Sequence, residues 1–151
     1  MSWCAAVAKR DEHIERTERL ARAVGGLRRA MVSRASRALA RTDDNLVHWR
    51  LISAIAFDGL HSQLELAERT DVDPAGTSRA LDELEALGLV ARLRDEDDRR
   101  RVNVSLTAKG KRWYERVRVQ VFSELAPLFD GLSQRDGKQL EALLARVLER
   151  R

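Results

Sequence analysis

Apolar residues recur every three or four positions from about Asp11. Ile14, Leu20, Val24, Leu27, Met31, Ala35 and Ala38 form one stripe, with Arg16, Arg22, Arg29 and Arg37 largely off it. That spacing predicts an amphipathic helix over 11–41. The stripe is longer than one small domain needs to cover, so part of it is expected to meet a second subunit. Gly25-Gly26 is expected to weaken or bend the helix, and Thr42-Asp43-Asp44-Asn45 to end it. Asn45 is a suitable N-cap for a helix from Leu46 to about Phe57. Its Leu46, Trp49, Leu51, Ile52, Ile55 and Ala56 face most sides, the pattern of a buried central helix. Asp58-Gly59 closes it, Gly59 suiting a left-handed cap. Residues 1–10 show no period and read as a flexible N-terminus.

Two short helical patterns follow within 62–87. Ser62-Gln63-Leu64-Glu65 has the form of a capping box, with Leu64 or Leu66 and Ala67 as apolar contacts. The pattern breaks at Thr70–Asp73, with Val72 as an apolar plug. Asp73-Pro74 starts the second helix, Asp as N-cap and Pro at the first helical position. Thr77, Ala80 or Leu81, Leu84 and Leu87 form its inward stripe. Ala75, Gly76, Ser78, Arg79 and Asp82 are left outside, and Gly88 stands ready as a terminating glycine. The period then switches to two. Residues 89–94 read as a strand, and 101–106 alternate with Val102, Val104 and Leu106 on one face. Asp95–Arg100 is the tip between them. Thr107 caps a helix through Trp113, Val117, Val121 and Leu125 that Pro127 should kink or end. Asp130-Gly131 is a turn, and Ser133 caps a last helix with Leu140, Leu143, Leu144, Val147 and Leu148 in helical register. The fold class read from this order is mainly α with a small β wing: helix, turn, helix and a two-stranded wing, the layout of a winged DNA-binding module. Flanking helices over 11–41 and 107–150 hold it.

Composition narrows this further. A chain of 151 residues with 44% hydrophobic and 34% charged residues has room for one core. Gly and Pro number only 8 and 2, which favours long helices. The net charge of +4 fits a nucleic-acid partner without requiring one. Cys4 is the single cysteine, so neither an intramolecular disulfide nor a thiolate metal cluster can form within the chain. No apolar run is long enough for a signal peptide or a membrane span. The expected location is the cytoplasm.

A helix that enters a major groove needs a thin, polar leading turn, because the groove is about 12 Å wide. Ala75, Gly76, Thr77 and Ser78 meet that need. Arg79 has the reach for guanine O6 and N7 or for a phosphate; the competing reading pairs it with Glu83 one turn on. The tip Asp95-Glu96-Asp97-Asp98-Arg99-Arg100-Arg101 mixes acids with arginines. Asp98 is expected to hold Arg99 or Arg100 extended toward a minor groove, against the plainer reading of a solvated charged hairpin. His13, His48 and His61 are scattered without metal-ligand spacing. No nucleotide-binding loop, metalloprotease motif or nucleophile elbow is present in the sequence. No catalytic residue, metal or cofactor is assigned, and an enzyme is not the expected class. The alternative is a helical protein-interaction module without sequence-specific DNA binding.

Residues 60–110 closely resemble the MarR family of bacterial winged-helix transcription regulators. The matching text is LELAERTDVD followed by SRALDELEALGLVARLRDEDDRRRVNVSLTAKG. Its specific part is the D-x-x-D-R-R wing followed by V-x-L-T-x-x-G, and the flanking helices extend the likeness over roughly 12–150. The resemblance implies a homodimer built through the terminal helices, bound to double-stranded DNA at a near-palindromic site. By match, Asp98 and Arg99 take the wing role with Arg100 in support. Ser78 and Arg79 take the base and phosphate role, and Ser62 and Gln63 lie where a backbone phosphate is contacted. Two half-sites one turn apart set the modules about 34 Å apart. The resemblance also implies a small, often phenolic, anionic effector that lowers DNA affinity from a crevice between dimer body and reading module. Met31, His48, Trp49 and Trp113 are its candidate lining, against their plainer reading as core residues. Some relatives sense peroxide through a first-helix cysteine; Cys4 precedes the expected helix and reads as an inert thiol.

Overall fold

The computed structural model describes residues 3–42, 44–59, 62–94 and 102–149. Among them run α1 (Trp3–Ala40), α2 (Leu46–Asp58), α3 (Gln63–Thr70), α4 (Pro74–Ala86), β1 (Val90–Arg94), β2 (Val102–Leu106), α5 (Ala108–Leu125) and α6 (Gln134–Leu148). A single 3₁₀ turn over Ala126–Leu128 follows α5. The chain divides into two units, residues 1–34 and 35–151.

The first unit is most of α1. The helix begins at Trp3 and not near Asp11, so Cys4 stands inside it and not ahead of it. The apolar period fails before Asp11, but alanine-rich sequence favours a helix without any stripe. The helix also continues through Gly25-Gly26. Two glycines cost about 2 kcal/mol relative to alanine, a small charge against cooperative propagation along 38 residues. Ile14, Leu20 and Val24 are exposed.

The second unit holds one core. Leu51, Ile52, Ala54 and Ile55 of α2 lie against Leu66 of α3, then Ala80, Leu81 and Leu84 of α4, and Leu89, Val90 and Val104 of the sheet region. Helix α2 opens where expected: the Asn45 side chain accepts the Val47 amide at 2.7 Å. It ends at Gly59, whose φ of 64° suits glycine. Its last turn departs from the buried pattern, Phe57 being 84% exposed. Just ahead of α2, Asp44 ties the α1–α2 link to α5. It accepts hydrogen bonds from Trp113 Nε1 at 3.0 Å, Arg116 Nη1 at 3.2 Å and Thr42 Oγ1 at 2.6 Å. Burial alone would raise its pKa, but these bonds and the Arg116 charge together hold it below the ordinary carboxylate value.

The strands pair antiparallel, with Val90 opposite Leu106, Arg92 opposite Val104 and Arg94 opposite Val102. The L-T-x-x-G run closes the wing onto the end of α4. Leu87 caps α4, Gly88 turns with φ 69°, and the Gly88 and Leu89 amides bond back to the Glu85 and Leu84 carbonyls at 2.8 and 2.9 Å. Leu87 was expected in the inward stripe; at this cap it points outward and is 50% exposed. The Thr107 amide donates to the Leu89 carbonyl at 3.1 Å, and its hydroxyl donates to the Gly88 carbonyl at 2.7 Å. Gly110 lies so close to Leu89 that a Cβ there would sit 1.9 Å from the Leu89 oxygen. That approach explains the glycine of the motif.

Helix α5 stops at Leu125, as Pro127 required. Ser133 opens α6 through a reciprocal cap with Asp136, the Asp136 amide donating to the Ser133 hydroxyl at 3.2 Å and the Ser133 amide to the carboxylate at 3.1 Å. Leu143, Leu144, Val147 and Leu148 of α6 are all exposed. Such an apolar stripe on a single chain marks a surface that another surface covers. No helix among the described residues is long and apolar enough to cross a membrane.

Candidate nucleic-acid interface

Helices α3 and α4 are joined by a three-residue turn at 71–73, in which Asp71 adopts a left-handed φ of 56°. Val72 is half-buried beneath it. The turn is fixed from both sides. Thr70 Oγ1 donates to the Leu66 carbonyl at 2.6 Å, and the Asp73 side chain accepts the Gly76 amide at 2.8 Å. Pro74 supplies the first helical position of α4 without losing a hydrogen bond. Leu66 and Ala67 are the buried contacts of α3, while Leu64 is exposed.

The leading turn of α4 presents Ala75 and Arg79 to solvent, with Gly76 and Ser78 half-buried. Thr77 is corrected. Of its two expected places, the inward stripe and the groove contact, it takes the first: it is fully buried, its hydroxyl 3.4 Å from the Val72 carbonyl, and reaches no groove. Its period places it one position from the exposed face, and the hydroxyl finds its acceptor inside the turn. Arg79 is not paired with Glu83. That carboxylate is taken by His48 of α2 at 2.9 Å, and no ion pair joins Arg79 to another described residue. The guanidinium at the exposed start of α4 is therefore available to an anion, beside a helix N-terminus that itself favours one.

At the start of α3 the Ser62 hydroxyl is committed to the capping box: it donates to Glu65 Oε2 at 2.6 Å and accepts the Glu65 amide at 3.2 Å. Gln63, half-buried, opens the helix. Ser62 also bridges Asn103 of β2, which sets the first reading helix against the wing. Asp98, Arg99 and Arg100 lie outside the described residues.

Sequence reasoning missed Arg92 of β1. Its Nη1 lies 2.5 Å from Asp82 and 3.0 Å from Glu85 of α4, and its Nη2 donates to the Ser78 carbonyl at 3.4 Å. Burial alone would lower the guanidinium pKa; Asp82 and Glu85 hold it above the ordinary value. A lone arginine in a strand gives no sequence signal for this. The partners lie seven and ten residues away and meet it only through the fold.

The three candidate effector residues of the second unit turn to different elements. His48 turns to Glu83 on α4. Trp49 stacks on Tyr114 of α5, with ring centres 5.7 Å apart, and meets Phe122 edge-on. Trp113 donates to Asp44. Met31, half-buried, belongs to the first unit. None of them lines the 430 Å³ cleft formed by Ile55, Leu106, Lys111 and Tyr114, nor the 640 Å³ cleft between Phe129 and Leu144. One polar atom near Trp49 stands out. Ser53 Oγ, one turn further along α2, is buried without a hydrogen-bond partner among the described residues. Burial of Tyr114 raises its pKa, so the ring stacked on Trp49 carries a neutral hydroxyl at ordinary pH.

Comparison with known proteins gives a consistent result. A family model described as MarR family matches residues 43–101. The HTH-type transcriptional regulator FarR of Neisseria gonorrhoeae is 30% identical over 100 residues, which span 66% of this chain and 66% of that protein. The crystal structure of NadR in complex with 4-hydroxyphenylacetate matches with a TM-score of 0.73 and 27% identity, over 83% of this chain and 89% of that one. A mutant MarR from E. coli complexed with operator DNA matches with a TM-score of 0.69 and 26% identity, over 85% of this chain and 93% of that one.

Proposed function

Because this chain belongs to the MarR family of winged helix-turn-helix transcription regulators, we propose that it is a homodimeric regulator that binds double-stranded DNA at a near-palindromic operator and represses by occupying it. The observation that carries the reading is the start of α4. Small residues leave the backbone free to enter a groove, and Arg79 projects from it without an ion-pair partner among the described residues. The proposed contact set is Gln63, Ala75, Gly76, Ser78 and Arg79, with Asp98, Arg99 and Arg100 at the wing. Ser62 contributes through its cap and through the amides it aligns. The solved complex of a MarR with operator DNA supports carrying this arrangement over.

The exposed apolar stripes of α1 and α6 supply the surface for a second copy. A two-fold dimer presents two α4 helices to two half-sites, which makes a near-palindrome the matching target. The effector class is proposed from NadR, whose structure holds 4-hydroxyphenylacetate: a small aromatic anion. Trp49 offers a ring and Ser53 a free hydroxyl toward such a molecule. Met31, His48 and Trp113 are kept as candidates on the family resemblance alone.

Selection of genomic fragments with the purified protein, sequenced at two salt concentrations and repeated with Arg99→Ala, tests the reading. The expected result is one short inverted repeat whose recovery falls with salt and with the substitution, because displaced counterions drive phosphate binding. Recovery of no enriched sequence by a folded dimer would overturn it.

A further inference from the structure

The reading helix carries three carboxylates in its C-terminal half, Asp82, Glu83 and Glu85. That end of a helix is already the negative end of its dipole. Left bare, these groups would repel a duplex lying along α4. Each has a partner on a neighbouring element: Glu83 shares a hydrogen bond with His48 of α2, and Asp82 and Glu85 together meet the charge of Arg92 of β1.

Arg92 does more than neutralise. Ser78, Asp82 and Glu85 stand at i, i+4 and i+7, one stripe running along α4. A single guanidinium bonds to all three positions, to the carbonyl of the first and the carboxylates of the others. The main chain joins in. Strand β1 pairs with β2 along one edge only, and the Arg92 amide donates on the other side to Glu85 Oε1 at 3.3 Å. The wing strand is thus tied to the reading helix through backbone and side chain at one residue. The Arg92 side chain is 23% exposed while Asp82 and Glu85 are 61% and 43% exposed, so solvent screens the charges and it is the three-point geometry that fixes the contact. This stripe is neither the core stripe of Thr77, Ala80, Leu81 and Leu84 nor the position of Arg79.

We propose that Arg92 is a positioning residue for sequence reading: it fixes the roll of α4 against the wing, so that Arg79 and the wing tip meet their grooves in one register. It touches no base itself. The inference rests on the DNA-binding reading above.

The readout is the ratio of affinity for the selected operator to affinity for unrelated duplex, measured by fluorescence anisotropy on the full-length dimer, with thermal melts confirming the fold. Arg92→Ala bares two carboxylates and should weaken both affinities. The triple variant Arg92→Ala, Asp82→Asn, Glu85→Gln removes that repulsion along with the clamp. Its affinity for unrelated duplex should return to the wild-type value, while the ratio stays lower by about tenfold, the scale of one lost base contact. Arg92→Lys keeps the charge but replaces the rigid two-nitrogen fork by one nitrogen on a flexible stem, and should also lower the ratio. A triple variant with the wild-type ratio would overturn the inference and leave Arg92 as a charge neutraliser. An unchanged ratio in Arg92→Lys, should the other variants not fold, would overturn it equally. Wild-type protein that prefers no sequence at all would instead remove the premise, and that outcome is read before any variant is made.

Discussion

Replacing Gly110 by alanine probes the junction where the wing returns to the body. The added Cβ would lie 1.9 Å from the Leu89 carbonyl oxygen and 2.9 Å from its carbon, both backbone atoms that no rotamer change can move. Relief requires the first turn of α5 to retreat from Leu89 by about 1 Å. That retreat stretches the Thr107 amide bond to Leu89, now 3.1 Å, and the Thr107 hydroxyl bond to Gly88, now 2.7 Å. Overpacking costs about 1–3 kcal/mol, and each weakened hydrogen bond adds about 1 kcal/mol. The expected loss is therefore about 3–5 kcal/mol out of a stability of about 5–15 kcal/mol. A melt at fixed protein concentration, followed by circular dichroism, should show a midpoint roughly 10 °C lower. Gly25→Ala is the matched control, because its Cβ meets only the end of the Arg29 side chain at 3.6 Å. It should stabilise α1 by about 0.5–1 kcal/mol. A Gly110→Ala variant that melts within about 2 °C of wild type would refute the close approach and the argument built on it.

Asp44→Asn should destabilise by about 1–2 kcal/mol at neutral pH, because the ion pair with Arg116 is lost while Trp113 keeps an acceptor. The folded pKa of Asp44 is depressed, so its stabilisation is present above the ordinary value of 3.8 and disappears as pH falls through the folded value; wild type and variant should converge in acid urea titrations and differ by a constant amount from pH 5 to 7. Ser53→Ala removes a buried hydroxyl without a described partner and should leave stability unchanged or raise it by about 1 kcal/mol; a clear loss in chemical denaturation would show that the hydroxyl is bonded in the folded protein. Arg79→Ala should weaken operator binding by about 1–3 kcal/mol if the guanidinium reads a base, and an equal loss on every duplex in a competition assay would limit it to phosphate.

The order of elements was legible because each boundary carries its own chemistry. Asn45, Ser62, Asp73, Thr107 and Ser133 all cap the helices assigned to them, and Gly59 and Gly88 both take left-handed turns. Hydrophobic period without a capping residue marks an element less sharply. The start of α1 has no stripe to read, and Leu87 lies at the cap where α4 has ended and the period no longer decides; Thr77 is buried as its period requires, and only the demand for a small polar leading turn places it in a groove. The interface was legible at Arg79 because it needs only to stand exposed. Arg92 was not, since its role depends on two carboxylates brought to it by the turn at Gly88. The aromatic residues show the same limit. Trp49, Trp113 and His48 were all expected in one crevice, yet each turns to a different element.

Footprinting of the selected operator by the purified protein tests the central claim most directly. The account predicts two protected half-sites related by inversion, their centres one helical turn apart, filled by two chains per site and lost together when salt is raised. Uniform protection along the duplex, or a single protected block filled by one chain, would contradict it.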